Sequence, residues 1–446
     1  MKKIVIGIVL IVLVAIVFFV VRPRMAENYF NTGISYIDSV KYEQAIEYFD
    51  KAIKFKKKYP KAIIRRGEAK YNLENYAEAL IDFKKALELD KMQYEGYLGV
   101  GISQLKLEQF DKALENLSSA INEDDSKPET FFFRASAKMK LKKYKEAISD
   151  YSQAIKLDSL YAEAYHNRGI AKANIGQLEE SIKDYNKAID LDKTNLDAYK
   201  RRVKYKSDKS DYSGAINDYT AIIELDENNQ EAYYQRGYFK LRLHDFESAI
   251  TDFNKSLELN PKHSLSYLKR GNAKAGLNNF NEAINDFTKS IKIKISDEAY
   301  FLRALAKLNI GKNNDAIADF TNAIKYNKSY TDAYYLRAVT KSKNQDYKKS
   351  LKDFSKAISI DNNYFDAYLG RATSLGMLKR HKEALADYDV YLDNIKNNGN
   401  AYMNRGVSRI NINNTQTGCE DFYKALGLGV EKAQDMINMY CSSYKK

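Results

Sequence analysis

Tryptophan is missing from the 446 residues, and there are only 4 prolines, 20 glycines, 2 cysteines and 4 histidines. So little Pro and Gly leaves too few turn-formers for an all-β chain, whose short strands need a turn every few residues. The chain is expected to be all-α. Two cysteines, Cys419 and Cys441, and scattered histidines cannot build a zinc framework or a set of disulfides along the length. No metal or other cofactor is expected, and no small-molecule substrate. Charge of one sign is not gathered anywhere obvious: 72 Lys and Arg against 59 Asp and Glu give +13, with both signs interspersed. A nucleic-acid protein concentrates its basic residues in a stripe or tail, so nucleic acid is not the expected partner. With 44% hydrophobic residues the chain is also too apolar to be disordered.

What is present begins with a long apolar run. Residues 4 to 21, IVIGIVLIVLVAIVFFVV, carry no charged or polar side chain. As a helix at about 1.5 Å per residue they nearly cross a ~30 Å hydrocarbon core. A transmembrane anchor over about 4–21, within an N-terminal segment 1–25, is expected. A cleaved secretory signal would have a shorter apolar core ending in small residues, whereas Phe18, Phe19, Val20 and Val21 lead into Arg22, Pro23 and Arg24. Lys2, Lys3 and the α-amino group outnumber Arg22 and Arg24, so the N-terminus is expected in the cytoplasm and the rest is expected to be exported, to the periplasm or cell surface. The cysteines agree with export: 22 positions apart, they would close a loop with about 3 kcal/mol of stabilisation in the chain-entropy model. The alternative is a pair of buried thiols.

The remainder repeats every 34 residues. A small residue recurs at Gly33, Gly67, Gly101, Ala135, Gly169, Val203, Gly237 and Gly271, then one residue early at Ala304, Ala338, Ala372 and Gly406. A second small column follows twelve residues later, from Ala45 to Gly418, and a third, mostly Ala, seven after that. An aromatic stands four before the first column in eleven units, Ile63 being the exception, and another four after the second column, as at Phe49, Tyr151 and Phe287. Apolar spacings of three and four predict two helices of about 13 residues per unit, crossing where small residues let their axes approach. Pro60, Pro128 and Pro261 fall at unit junctions, where Pro is tolerated in a first helical turn.

These columns resemble the tetratricopeptide repeat family, over about nine-tenths of the chain. The resemblance implies a right-handed superhelical solenoid whose concave surface binds ligands, without naming one. Twelve units are expected: 26–59, 60–93, 94–127, 128–161, 162–195, 196–229, 230–263, 264–296, 297–330, 331–364, 365–398 and 399–432. A capping helix and tail, 433–446, would cover the open end, with Cys441 near Cys419.

Ten units carry Arg just before the first small column and Asp just before the second aromatic, as in Arg270 and Asp286. The two lacking the Arg, with Thr32 and Val100, also lack the Asp, with Tyr48 and Asn116. Pairing inside each unit leaves no mismatch, so ten partly buried salt bridges between the two helices are expected. On a helical wheel the residues one after the first aromatic and one after the small column are expected to face away from the hairpin core. Many are apolar: Phe30, Ile34, Leu98, Ile102, Phe132, Tyr234, Tyr238, Phe301 and Tyr335. They suggest a groove for a peptide or partner helix, or else burial against a neighbouring helix. Unit six instead places Lys200 and Lys204 there. No catalytic constellation is present, and the chain is not expected to be an enzyme. A membrane-tethered scaffold for protein or peptide partners, resembling bacterial envelope repeat proteins, is the leading expectation. A cytoplasm-facing receptor or co-chaperone for client chains, and an adaptor for anionic glycan or nucleic acid, are the alternatives.

Overall fold

The computed structural model describes residues 2–91 and 93–442, and among these there are helices and no strands. The expected capping tail beyond residue 442 lies outside the described residues. The chain divides into two compact units, Met1–Leu225 and Asp226–Lys446.

The first unit opens with helical turns that do not break at the expected module boundary. Lys2–Ile16 is α-helical, Val17–Val21 is a π-helical turn, and Arg22–Asp38 continues as the first helix of the first hairpin. Pro23 sits in the first turn after the widened segment. It has no N–H to donate and its ring crowds the carbonyl four residues back, which accounts for the π turn just before it without ending the helix. Residues 8–38 form the one helix, among those described, long and apolar enough to cross a membrane. Its apolar residues from Ile8 to Val14 are all exposed.

Five further hairpins complete this unit, with first helices Pro60–Asn72, Tyr94–Lys106, Pro128–Lys140, Ala162–Asn174 and Leu196–Asp208. Their second helices are Tyr76–Leu89, Phe110–Glu123, Tyr144–Leu157, Leu178–Leu191 and Tyr212–Leu225; Tyr42–Phe55 returns from the opening helix. The second unit repeats the plan from Gln230–Arg242 and Phe246–Leu259 to Gly399–Asn411 and Thr415–Gly427, then adds Lys432–Tyr440.

Two local devices set each hairpin. First, the small columns let the helices close on an aromatic ring: a Cβ on Gly169 would lie 2.6 Å from Tyr185, and one on Gly271 2.8 Å from Phe287. Second, one left-handed residue ends each first helix, Glu74 at φ 62° for example, so that Asn75 N–H reaches back to the Lys70 carbonyl at 2.9 Å. This closure satisfies carbonyls that the helix end would otherwise orphan. Only Gly176 and Gly311 serve these turns as glycine; the first hairpin uses Val40, at φ 56°. The final helix packs Ile437 and Cys441 against Cys419 and Phe422, with Met403, Val407 and Ile410 around them. Cys419 and Cys441 are joined as a disulfide, their Cα atoms 5.7 Å apart.

Candidate functional site

The arginine column is engaged internally. In all ten hairpins that carry it, the guanidinium binds its own Asp through two bonds: Nη2 to Oδ1 at 2.5–2.8 Å and Nε to Oδ2 at 2.7–3.0 Å. Arg270 and Asp286 are one such pair. The fork geometry matches a carboxylate in two places at once. Two further contacts escape a sequence reading. A second cation four residues after the Arg meets the same Asp, as Lys274 does on Asp286 at 3.0 Å and Arg409 on Asp421 at 2.9 Å. The third guanidinium nitrogen, Nη1, reaches the second helix of the preceding hairpin, as from Arg168 to Ser152, Arg202 to Asn186 and Arg270 to Asn254. An arginine so placed ties three helices together.

Nine of the ten also lie 5.3–5.6 Å over the ring three residues before them. Arg66 has Ile63 at that place. Where the Arg is missing the whole cluster is replaced: Tyr36 stacks on Tyr48 at 5.2 Å in the first hairpin, and Asn116 donates to Gln104 at 3.0 Å in the third. Burial holds the Asp421 carboxyl above its ordinary value despite Arg405 and Arg409.

The supposed outward face needs correction. Its rings pack between the hairpin's own second-helix aromatic and the residue that ends the unit. Phe30 lies 5.8 Å from Phe49 and 5.3 Å from Tyr59, Phe132 5.7 Å from Tyr151 and 5.0 Å from Tyr161, and Phe301 5.7 Å from Phe320 and 4.7 Å from Tyr330. Tyr335 lies between Phe354 and Tyr364 in the same manner, and Tyr234 between Phe253 and His263. Phe132 and Tyr234 are each only 8% exposed. The reason is angular. At 100° per residue, a side chain one after the aromatic is three before the Gly column, hence only about 60° from it. Leu98 and Ile102 likewise rest on Ala113, Leu117 and Ala137, where the next first helix arrives. Tyr238, edge-on to Phe239, is half-buried, while Lys200 and Lys204 are exposed.

Open space survives at two clefts of the first unit. One, of about 440 Å³, is lined by Phe30, Ile34, Lys61, Ile64, Arg65, Asp90, Gln93 and Glu95, from three successive hairpins. Arg65 there binds Glu68 at 2.7 Å, and burial raises the Glu68 carboxyl above its usual range. The other, of about 260 Å³, brings Lys204 beside Arg201, Tyr205, Tyr185 and Asn174. Arg201 and His166 both bind Asp197, at 2.7 and 3.1 Å, and burial lowers the His166 imidazole while pushing the Tyr185 phenol up to about 12. The sequence marks Phe30, Ile34 and Lys204 but not Arg65 or Arg201, which share a column whose residue type changes from unit to unit. Mixed apolar and charged linings of this kind suit side chains of a peptide. Among the described residues no three His, Cys, Asp or Glu side chains converge to hold a metal ion.

Models of the tetratricopeptide repeat match residues 26–59, 60–91, 162–195, 230–263, 265–294, 297–330 and 331–364, and a further TPR repeat model matches 135–176. No curated protein matches the chain. Solved structures similar to it include that of MamA, at 23% identity over 37% of this chain and 96% of that one, with a TM-score of 0.35. A tetratricopeptide repeat protein from Parabacteroides merdae is 22% identical over 56% of this chain and 98% of its own, with a TM-score of 0.38. The Cut9–Hcn1 hetero-tetramer of APC/C aligns over 92% of this chain and 95% of that one, at 12% identity and a TM-score of 0.40. With seven of the units matched by the repeat model and the same hairpin built twelve times among the described residues, the chain belongs to the tetratricopeptide repeat family.

Proposed function

We propose that this chain is a non-enzymatic, single-pass membrane scaffold that holds protein or peptide segments on the inner face formed by its first helices. The carrying observation is the 440 Å³ cleft, where apolar Phe30, Ile34 and Ile64 stand beside Lys61, Arg65, Asp90 and Glu95. Such a lining takes an apolar side chain and a charged neighbour together, and successive clefts along one chain raise the effective concentration of a multivalent partner. The engagement of ten arginines by their own acids supports a protein partner over an anionic polymer, since those cations are not free for phosphate. The tether is the exposed apolar helix, and the Cys419–Cys441 bridge supports an oxidising compartment for the repeats.

Photo-crosslinking in intact cells tests the reading. Probes placed at Ile34 and Lys204 should capture the same partners, while a probe at exposed Lys112 on a second helix should not. Equal adducts from all three sites would reject the inner face. A reporter fused after the last residue separates an exported array from a cytoplasm-facing receptor.

A further inference from the structure

The helix that carries the apolar run and the first hairpin are continuous, so the position of every residue near the bilayer surface follows from counting along it. Arg22 and Arg24 follow directly on the apolar segment. The first helix leaves the membrane, turns at Val40, and the second helix Tyr42–Phe55 comes back antiparallel. Phe55 is fifteen residues past Val40 and Met25 fifteen before it, so the loop after Phe55 returns toward the end of the first helix that carries Arg22 and Arg24. Two ring contacts set its height above them: Phe55 stacks on Tyr29 at 5.6 Å and Tyr59 packs on Phe30 at 5.3 Å. Phe30 is eight residues beyond Arg22, about 12 Å along the axis.

No acid-free run in the chain holds more cations than this returning loop and its flanks. Residues 51 to 67 contain eight Lys and Arg and no acid, and Lys54, Lys56, Lys57, Lys58 and Lys61 are all exposed. Lys56 caps the second helix here, whereas Asp90, Asp124, Asp158 and Asp192 occupy the same place in the next four hairpins. Over these five hairpins the sign of the charge is therefore inverted only beside the anchor. Lys294 takes the place once in the second unit, but Asp297 and Glu298 follow it closely. Among the described residues none of the five exposed lysines meets a carboxylate. The Lys56 ammonium lies instead 4.4 Å over the ring of Tyr59, whose phenol is raised by burial and then by Glu27.

We infer that the loop at Lys54, Lys56, Lys57 and Lys58, with Arg22 and Arg24, is a docking surface for anionic phospholipid headgroups of the bilayer that the helix crosses. The headgroup layer extends ~5–7 Å beyond the hydrocarbon, so a loop about 12 Å past Arg22 lies within about one Debye length, ~8–10 Å, of it, where each Lys or Arg gains about a factor of five in partitioning onto an anionic surface. Docking would hold the first hairpin against the membrane and fix the direction in which the following hairpins leave it. The inference rests on the spanning helix proposed above.

The test uses the full chain in nanodiscs of phosphatidylcholine alone or mixed with phosphatidylglycerol, with the acylation rate of each lysine read by mass spectrometry. Lys56, Lys57 and Lys58 should react at least about fivefold more slowly in the anionic discs, recover at high salt, and leave Lys112 and Lys193 unchanged. Equal rates in both lipids overturn the inference. Flotation separates it from the anchor. A chain that stays with neutral vesicles at high salt spans them. One that floats only with anionic vesicles at low salt, and loses this in K56E/K57E/K58E, has the docking surface without the span. One that floats with neither has neither.

Discussion

Removing Arg270 strands a buried acid, and the surroundings of that acid allow the penalty to be estimated. Asp286 is 2% exposed and receives Arg270 through Nε at 2.9 Å and Nη2 at 2.6 Å, and Lys274 at 3.0 Å. Breaking a buried ion pair costs about 3–5 kcal/mol. The remaining lysine keeps one of three contacts, so Arg270→Ala should cost about 2–3 kcal/mol. Asp286→Ala leaves two cations without their acid, but Arg270 still reaches Asn254 at 2.6 Å and Lys274 reaches Glu282 at 3.1 Å. The double variant removes both problems together and should be about 1.5–2.5 kcal/mol less destabilised than the sum of the singles.

Hairpin eleven supplies the control. Leu375 stands at the place that Lys274 takes in its own hairpin, and among the described residues Asp387 has Arg371 as its sole cation, at 2.7 Å. Arg371→Ala should therefore be worse than Arg270→Ala by at least about 1 kcal/mol. The lost ring contact, Arg270 on Tyr267 or Arg371 on Tyr368, cancels between the two. Because tandem repeats need not unfold in one step, hydrogen exchange within each affected hairpin is read beside urea denaturation. Coupling within about 0.5 kcal/mol of zero, or Arg371→Ala no worse than Arg270→Ala, would show that the acids are not held in this way.

Val40 is β-branched at φ 56°, so Val40→Gly should raise the stability of the first hairpin by about 1 kcal/mol, seen as slower exchange over Tyr42–Phe55; destabilisation would contradict it. Reducing Cys419–Cys441 opens a 22-residue separation and should cost the final helix about 3 kcal/mol, with faster exchange at Lys432–Tyr440 and two newly alkylated thiols. Burial holds the imidazoles of His166 and His263 below their ordinary value. Each then contributes stability present above an unfolded pKa of about 6.5 and lost as pH falls through the lower folded value. Urea midpoints should fall from neutral to mildly acid pH, and less steeply in H166F and H263F; an unchanged slope in both counts against the reading.

The repeat was readable because close packing admits few residue types. Gly169 faces Tyr185 with no room for a Cβ between them, so the column is written in one or two letters. The Arg–Asp pairing was readable because both partners change together, at Thr32 with Tyr48 and at Val100 with Asn116. The third contact of the arginine was not, since its acceptors range over Ser152, Asn186, Thr321, Asp50 and Asp389. Any small polar group will do, and such a column carries no letter of its own. The inner-face rings were misplaced because a position one after the aromatic stands only about 60° from the Gly column, which brings Phe132 and Tyr234 onto Tyr151 and Phe253 of their own hairpins. Pro23, unlike the junction prolines, marks no unit boundary: it widens the helix just before it without stopping it.

These contacts divide the work among positions of the repeat. The Arg, Asp and Lys columns hold three helices together, so their identity is tied to the stack, and replacement succeeds only as a set, as the Tyr36–Tyr48 and Gln104–Asn116 clusters show. The positions beside them, Arg65, Arg201 and Lys204 among them, take no part in those ion clusters, and their columns vary widely from hairpin to hairpin. A surface built this way can vary its chemistry from one hairpin to the next at small cost in stability, because surface changes away from buried clusters stay within about 0.5 kcal/mol. The same separation explains why the charge of the loop beside the anchor could be inverted, from the Asp of the next four hairpins to Lys56, with the hairpin itself unchanged in form.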